Sequence, residues 1–372
     1  MLSPLRRAVV AISLLTAVFV SARAATQVHA PVEALPVRLT DQEFWKLVTD
    51  FSEANGFFDS DNLLSNETTF QFVIPRLKAT IKPGSAYLGV GPEQNFPYII
   101  ALEPKIAFIV DIRRGNLQEH LMYKALIEMS ADRAEFLSLL FSRKRPAGLG
   151  PESTVQQLLD AYERVEPGAD LYKRNVERLG EWLTRHHAFA LQGDDLPGVE
   201  YVYSNFYAEG PHLSYNSSRP QRNRYPTYGE LQRETDGAGQ QRGYLSSEAS
   251  FKMIKRLEES NLIVPLVGDF GGSRALKAVA GYLHERGAVV GAFYTSNVEN
   301  YLFQSGAWGR FARNVAALPL DASSTFIRAC FDSCGGIPGS RSTTLLDPMM
   351  GLLKDFNDGR IRSYWDVLSH SR

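Results

Sequence analysis

Cysteine is nearly absent from this 372-residue sequence, with Cys330 and Cys334 the only two. That excludes a disulfide-stapled scaffold. Two cysteines with no histidine pair nearby also do not make a metal site, so none is assigned. In an exported protein they could close one small loop; otherwise they are free thiols in or beside a late strand. An excess of charge is lacking too: 40 basic and 41 acidic residues leave a formal net charge of −1, and nothing global signals nucleic acid. G-x-S-x-G, H-E-x-x-H and the P-loop are missing, which removes the nucleophile elbow, the zinc-protease helix and the lysine-tipped phosphate loop. The seven histidines are scattered. His186 and His187 are adjacent on a helix and point to different faces, and His120 with Lys124 reads as helix surface. No internal repeat is visible.

Hydrophobic residues make up 44% of the chain and charged residues 22%, the balance of a globular protein with a sizeable core. The N-terminus has the three parts of an export signal. Arg6 and Arg7 supply the positive region, and Ala8 to Val20 an apolar run too short for an ordinary membrane span. Ala22-Arg23-Ala24 supplies an A-x-A site, which predicts cleavage before Ala25. The expected location is therefore periplasmic or secreted, with an uncleaved N-terminal anchor as the alternative and no other membrane contact.

The most informative stretch is Tyr87-Leu-Gly-Val-Gly-Pro-Glu-Gln-Asn-Phe96, followed by Lys105-Ile-Ala-Phe-Ile-Val-Asp-Ile-Arg-Arg114. It predicts strand, glycine turn, short helix and a second strand closed by a carboxylate. Gly89 and Gly91 allow a sharp turn and close approach of backbone to a ligand. About 20 residues on, Asp111 stands where an acid can accept hydrogen bonds from ribose hydroxyls. This is not a dinucleotide fingerprint, because the third glycine of G-x-G-x-x-G would fall at Gln94. Its loss disfavours a pyrophosphate packed on the turn, and with it a nicotinamide or flavin dinucleotide. A single adenosyl group needs less room, so S-adenosylmethionine fits better. The alternative is a tight βα turn that holds no cofactor. Glu93 and Asn95 either touch the ligand or cap the helix that Pro97 enters. Arg113 either pairs with Asp111 or contacts an anionic group.

Residues 1–24 are assigned to the signal, 25–39 to an extended lead-in, and 40–372 to one α/β domain. Thr40-Asp-Gln-Glu43 is a capping box before a helix with Phe44, Trp45, Leu47, Val48 and Phe51 on its apolar face. A second helix is predicted from Ser65 or Asn66 to near Pro75. After a long helix from about Asn116 to Met129, the region of about 130–195 reads as a helical insertion between strands two and three. Gly198–Ser204 is expected as the third strand by its alternation. The polar, proline-containing stretch 205–245 reads as a long loop. Then βα alternation returns: a helix from Ser246, a strand from Leu262 to Asp269 with Pro265 as a mild objection, a helix to Arg286, a strand Ala288–Tyr294, a strand Ser324–Phe331 and a helix from Asp347 to Phe356. The expected fold is a doubly wound, mostly parallel, Rossmann-like sheet with helices on both faces.

Two further segments fall at strand ends, where ligands sit in open α/β sheets. Asp269, in Gly268-Asp-Phe-Gly-Gly272, is placed to contact a substrate or act as a base, or else to cap the following helix. Tyr294-Thr-Ser-Asn-Val-Glu-Asn-Tyr301 is a row of polar and aromatic residues suited to a pocket wall, with Tyr294 and Asn297 facing the acceptor, or else a capped turn.

In Gly89-Val-Gly-Pro-Glu-Gln-Asn-Phe96, Phe108-Ile-Val-Asp-Ile-Arg-Arg114, Val267-Gly-Asp-Phe270 and Phe293-Tyr-Thr-Ser-Asn-Val-Glu299, the chain resembles a family of uncharacterised, mainly bacterial proteins with a class I methyltransferase-like fold. The resemblance covers most of the chain after about residue 40. It implies an architecture and a cofactor pocket more than a reaction. The first expectation is an S-adenosylmethionine-binding, methyltransferase-like protein with a small-molecule ligand, whose acceptor the sequence does not name. Gly89, Gly91, Glu93, Asn95, Asp111 and Arg113 would be on the cofactor, with Asp269, Tyr294 and Asn297 on the acceptor. The second is an exported, non-catalytic binding protein on the same fold, because the methyl donor is made in the cytoplasm. A nicotinamide oxidoreductase is a third and weaker option.

Overall fold

The computed structural model describes residues 34–215, 225–331, 334 and 340–371. The predicted signal and most of the lead-in lie outside them. Six strands form one sheet: β1 (Ala86–Gly89), β2 (Ile106–Asp111), β3 (Ile263–Val267), β4 (Val290–Ser296), β5 (Thr325–Phe331) and β6 (Ser342–Pro348). Their order is β3-β2-β1-β4-β5-β6. The first five are parallel, and β6 runs antiparallel to β5. Every residue of β1, β2 and β3 is buried. Parallel strands covered on both faces need apolar side chains throughout, which is why these segments read as unbroken apolar runs.

Pro265 sits inside β3 at little cost. β3 is an edge strand, and its even-numbered neighbours face β2: the Leu262 carbonyl accepts from Ala107 N and Gly268 N donates to Asp111 O. Pro265 is on the other parity, so its missing N–H points away from the ladder. That outer edge is covered by the segment after the first helix. Val267 N donates to Ser52 Oγ (3.0 Å) and Val267 O accepts from Glu53 N (2.8 Å).

The helices before β2 are α1 (Asp41–Phe51), α2 (Ile74–Thr80) and α3 (Asn95–Leu102). Thr40 and Glu43 form the expected capping box of α1. The predicted helix at 66–75 is shifted. Thr69 takes a left-handed backbone (φ 65°), a short 3-10 turn covers Phe70–Val73, and Pro75 opens α2 instead of stopping a helix.

Between β2 and β3 run α4 (Arg114–Met129), α5 (Arg133–Leu140), α6 (Val155–Glu163), α7 (Ala169–Glu181), α8 (Asp195–Glu209), α9 (Tyr228–Arg233) and α10 (Glu248–Glu259). The stretch expected as a third strand, Gly198–Ser204, therefore lies inside α8. Its alternation was a subset of a helical pattern: Val199, Val202, Tyr203 and Phe206 are buried at i, i+3, i+4 and i+7, while Tyr201 is 47% exposed. The third strand is Ile263–Val267, and the helical stretch extends well past residue 195. His120 and Lys124, expected at the surface, are buried on α4.

The rest comprises α11 (Ala275–Glu285), α12 (Val298–Gln304), α13 (Trp308–Ala316), α14 (Met349–Asn357) and α15 (Tyr364–His370). β6 was not foreseen; Asp347, expected to open a helix, lies in this strand. Asp347 has a partner that explains its burial. Arg328 on β5 is fully buried, donates from Nη1 to Asp347 Oδ2 (2.7 Å) and from Nη2 to Glu299 Oε1 (3.2 Å), and its Nε donates to Glu299 Oε2. Its guanidinium also stacks 4.3 Å from the Phe326 ring. One cation thus locks α12, β5 and β6 together. Cys330 and Cys334 are joined as a disulfide, with Cα atoms 6.1 Å apart.

Removing the cation of such a group leaves buried carboxylates without compensation. Arg328→Met is expected to destabilise the fold by about 3–5 kcal/mol, read as a lower urea midpoint. A loss below about 1 kcal/mol, the range of a surface pair, would show that the three residues are more hydrated than their burial indicates.

Candidate functional site

The strand order reverses between β1 and β4, and the carboxyl ends of the strands open there into a crevice. The turn after β1 is built around Asn95. Its side chain is fully buried, with Nδ2 within 3.0, 3.2 and 2.7 Å of the Val90, Gly91 and Pro92 carbonyls, while Oδ1 accepts from the Tyr87 hydroxyl (2.9 Å). Gly89 leaves room for this brace, since a Cβ there would fall 1.9 Å from Asn95 Oδ1. Gly91 has φ +76°, and a Cβ on it would meet nothing within 4 Å. The two glycines thus do different work. Gly89 accommodates the interior of the turn, and Gly91 turns the chain and leaves its outer side open.

That outer side faces a cavity of about 550 Å³. Gly91, Asp111, Arg113, Asp269, Tyr294 and Asn297 all line it, whereas Gly89, Glu93 and Asn95 do not. Asp111 Oδ1 accepts from Arg113 N (2.9 Å) and Oδ2 from Arg113 Nη2 (3.2 Å). The same guanidinium donates to the Asp61 carbonyl, which ties the covering loop 55–63 to the end of β2. Arg114 turns away to a two-point pair with Asp195 (2.7 and 2.8 Å). Asp269 braces its own turn by accepting from Gly271 N (2.8 Å). It does not cap α11. Glu53 does so, accepting from Arg274 N (2.6 Å) and Ala275 N (3.2 Å).

The residue that completes the cavity was not singled out in the sequence. Glu67 lines it, is 1% exposed, and receives three donors: the Tyr294 hydroxyl (2.7 Å), Gln94 Nε2 (2.9 Å) and Ser296 Oγ. Burial pushes its carboxyl above the ordinary range, against the pull of those donors. Ser296 and Thr69, on the two segments that meet here, are both left-handed, at φ 51° and 65°. Such backbones cost of order 1–3 kcal/mol each and persist where the surroundings over-determine them.

A family model described as a domain of unknown function, DUF7790, matches residues 63–183 and 199–345. The chain belongs to this family. All the cavity residues discussed above fall within the DUF7790 match apart from the covering loop, and no curated protein matches the chain significantly. Membership of DUF7790 carries no stated activity, so any chemistry must be argued from the residues. Among the described residues no three His, Cys, Asp or Glu side chains assemble as a metal site.

Behind the turn lies a second polar group, facing away from the cavity. His120 Nε2 sits 2.9 Å from the Gly91 carbonyl, and burial lowers its pKa to about 4, so the neutral ring donates this bond. Asn116, Glu119, His120 and Tyr123 share one face of α4. Among the described residues, His120 Nδ1, the Tyr123 hydroxyl, both Glu119 oxygens, both Asn116 polar atoms and Glu93 Oε2 lack hydrogen-bond partners. Burial pushes Glu93 to about 8 and Glu119 well up, the latter helped by Glu93 beside it. With a pKa of about 8, Glu93 keeps its proton near pH 7 in the folded state.

The sign of the pH dependence follows from proton counts. Between the unfolded value near 4.3 and the folded value of about 8, folded Glu93 keeps a proton that the unfolded chain has lost. Stability therefore falls as pH rises through that window, by up to about 1.4 kcal/mol per unit. Glu119 acts in the same direction. His120 opposes it, but only from about 4 up to its unfolded value near 6.5. Glu93→Gln is expected to flatten the decline between about pH 6.5 and 8, measured as urea midpoints at several pH values. An unchanged slope would mean that Glu93 holds no proton in the folded state.

Proposed function

We propose that the protein is a methyltransferase-like protein that binds S-adenosylmethionine in the crevice at the ends of β1, β2, β3 and β4. The observation that carries this reading is the convergence of Gly91, Asp111 and the β4 end on one cavity at the point where the strand order reverses. The order β3-β2-β1-β4-β5, extended by one further strand, supports a Rossmann-like arrangement, in which ligands sit at that switch point.

The residues fit the cofactor. The cavity of about 550 Å³ is within the range of small-ligand sites. Gly91 presents bare backbone with open space where a side chain would stand. Asp111 uses one contact on each oxygen and keeps lone pairs for ribose hydroxyls. Arg113 fixes the orientation of that carboxylate. Asp269, expected on the acceptor, lies two residues beyond Val267, which pairs with Asp111 in the sheet, so this reading moves it to the cofactor side. Tyr294 and Asn297, across the crevice, serve the acceptor side. Gln94 argues against a dinucleotide, because its side chain is committed to Glu67 where the fingerprint needs a bare glycine. When bound, the cofactor supplies an electrophilic methyl group. The protein's task is then to align an acceptor in line and to keep out water, with Phe57 and Phe58 over the cavity.

One observation favours a second reading. The Cys330–Cys334 disulfide suits an oxidising compartment, as does the export signal expected from residues 1–24. There the same cavity would serve a non-catalytic binding protein.

Isothermal titration of the full chain with S-adenosylmethionine is expected to show one site per chain. Asp111→Ala should weaken it by about tenfold or more, the scale of hydrogen bonds to a charged group. No heat of binding from folded protein would overturn the proposal.

A further inference from the structure

Glu67 is an acid without a counter-ion. It is buried, lines the cavity, and meets only neutral donors on the turn (Gln94) and on β4 (Tyr294 and Ser296). The ionisable groups that otherwise face it are tyrosines: Tyr87 on β1, Tyr98 on α3 and Tyr364 on α15. Among the described residues no Lys, Arg or His pairs with it. Elsewhere in this protein Glu128 meets Lys124 and His187, and Glu299 meets Arg328. Glu93 and Glu119 make no ion pair among the described residues, but they do not line the cavity and their carboxyl groups include oxygens that accept no donor, whereas both oxygens of Glu67 are held by donors at the cavity wall. Among the described residues the one cation on the cavity wall, Arg113, is committed to Asp111 and to the Asp61 carbonyl. A buried carboxylate is ordinarily paired, so the missing partner of Glu67 is a question that the cavity itself can answer.

The cavity walls are aromatic. Tyr294, Tyr215, Phe57, Phe58 and Tyr301 line it, and the Phe58 and Tyr301 rings meet edge to face with centroids 5.2 Å apart. Aromatic faces around a carboxylate are the chemistry that recognises a soft, methylated cation. An ammonium ion that needs its water shell, or an anion, is poorly served by such walls.

We propose that Glu67 and the aromatic wall of the cavity form a receptor for an onium centre, a sulfonium or quaternary ammonium group, carried by the ligand. In naming the sulfonium of S-adenosylmethionine this rests on the preceding reading; the onium site itself does not. No covalent step is involved. Glu67 supplies the counter-charge, and the donors on Glu67 hold its carboxylate in place.

The test is a pair of titrations on the full chain. S-adenosylmethionine and S-adenosylhomocysteine differ by one methyl group and the sulfonium charge. The wild type is expected to bind the charged ligand about tenfold or more tightly, and Glu67→Gln to remove that preference while holding the neutral ligand within about twofold. Equal weakening of both ligands in Glu67→Gln would reduce Glu67 to a structural role and overturn the inference, leaving the cofactor reading intact. If neither ligand binds the wild type, the cofactor reading falls. Thermal stabilisation by tetramethylammonium then decides the onium site: it is expected in the wild type and lost in Glu67→Gln, and its absence in the wild type overturns the inference. Should Glu67→Gln fail to fold, Tyr301→Leu serves, since Tyr301 is 42% exposed. It should weaken the charged ligand, or tetramethylammonium, by about threefold or more while sparing the neutral one; no change would overturn the inference.

Discussion

Backbone pairing between β1 and β4 ends at Leu88 opposite Phe293, and beyond that point the two chains must be held by something else. Glu67 does this. It comes from neither strand, and its carboxylate takes donors from the glycine turn on one side and from Tyr294 and Ser296 on the other. A crevice at a switch point is a place where the sheet stops supplying hydrogen bonds. Its width is set by whatever side chain spans it. Here the spanning group is a carboxylate, anchored because Thr68 N donates to Ser342 Oγ (2.8 Å) and Thr69 Oγ1 donates to the Ser342 carbonyl (3.0 Å). The antiparallel edge of the sheet thus helps fix the centre of the site.

For Glu128, Glu93 and Glu119 the presence or absence of a partner decides the direction in which the buried carboxyl shifts. Burial alone would raise Glu128, but its hydrogen bond to His187 and the charge of Lys124 outweigh it and bring the carboxyl down to about 2. The same residue also accepts from Trp182 Nε1 (2.7 Å), so Glu128 joins α4 to the end of α7 as an ion. Among the described residues Glu93 and Glu119 make no ion pair, and burial raises both carboxyls. The paired acids lie where helices and strands are locked together. Glu93 and Glu119 lie at and behind the glycine turn, while Glu258, also raised to about 8, lies at the end of α10. Glu93 and Glu119 mark the turn as a region where stability has been given up, as do the left-handed backbones of Thr69 and Ser296.

The legible parts of the fold were those whose cause is local. Strands buried on both faces are mostly apolar, so β2, β3 and β4 could be read directly, and β5 from its apolar residues on either side of the buried Arg328. Gly91 and Asp111 could be placed at the strand ends, where both line the cavity, because a glycine turn and an acid closing the second strand recur at a fixed spacing. What escaped was caused at a distance. Glu67 finds its partners 27, 227 and 229 residues away, and no local pattern sets it apart from an ordinary helix-capping acid. Gln94 was visible only as a missing glycine, although its side chain is a working part of the site. The stretch 198–204 failed for a different reason: Val199, Tyr201 and Tyr203 alternate, and only the burial of Val202 and Phe206 shows which period the chain obeys. β6 escaped because its outer positions are only half-buried and its acid is neutralised by Arg328, a partner on another strand.

The charge of the cavity wall narrows its ligand more than its volume does. Among the described residues, three carboxyl groups, on Glu67, Asp111 and Asp269, share the cavity wall with a single guanidinium, on Arg113, and that guanidinium is already shared between Asp111 and a backbone carbonyl. A dinucleotide would bring two phosphate charges into this setting, with no free cation among those residues to receive them. It would also need a third glycine at the position where Gln94 reaches across to Glu67. Sterics and electrostatics therefore act in the same direction: the turn that is too crowded for a pyrophosphate also leads into a wall too acidic for one. In the reading proposed above, a ligand with ribose hydroxyls at one end and positive charge near the other would meet both constraints at once, its hydroxyls donating to Asp111 and its charge answering Glu67.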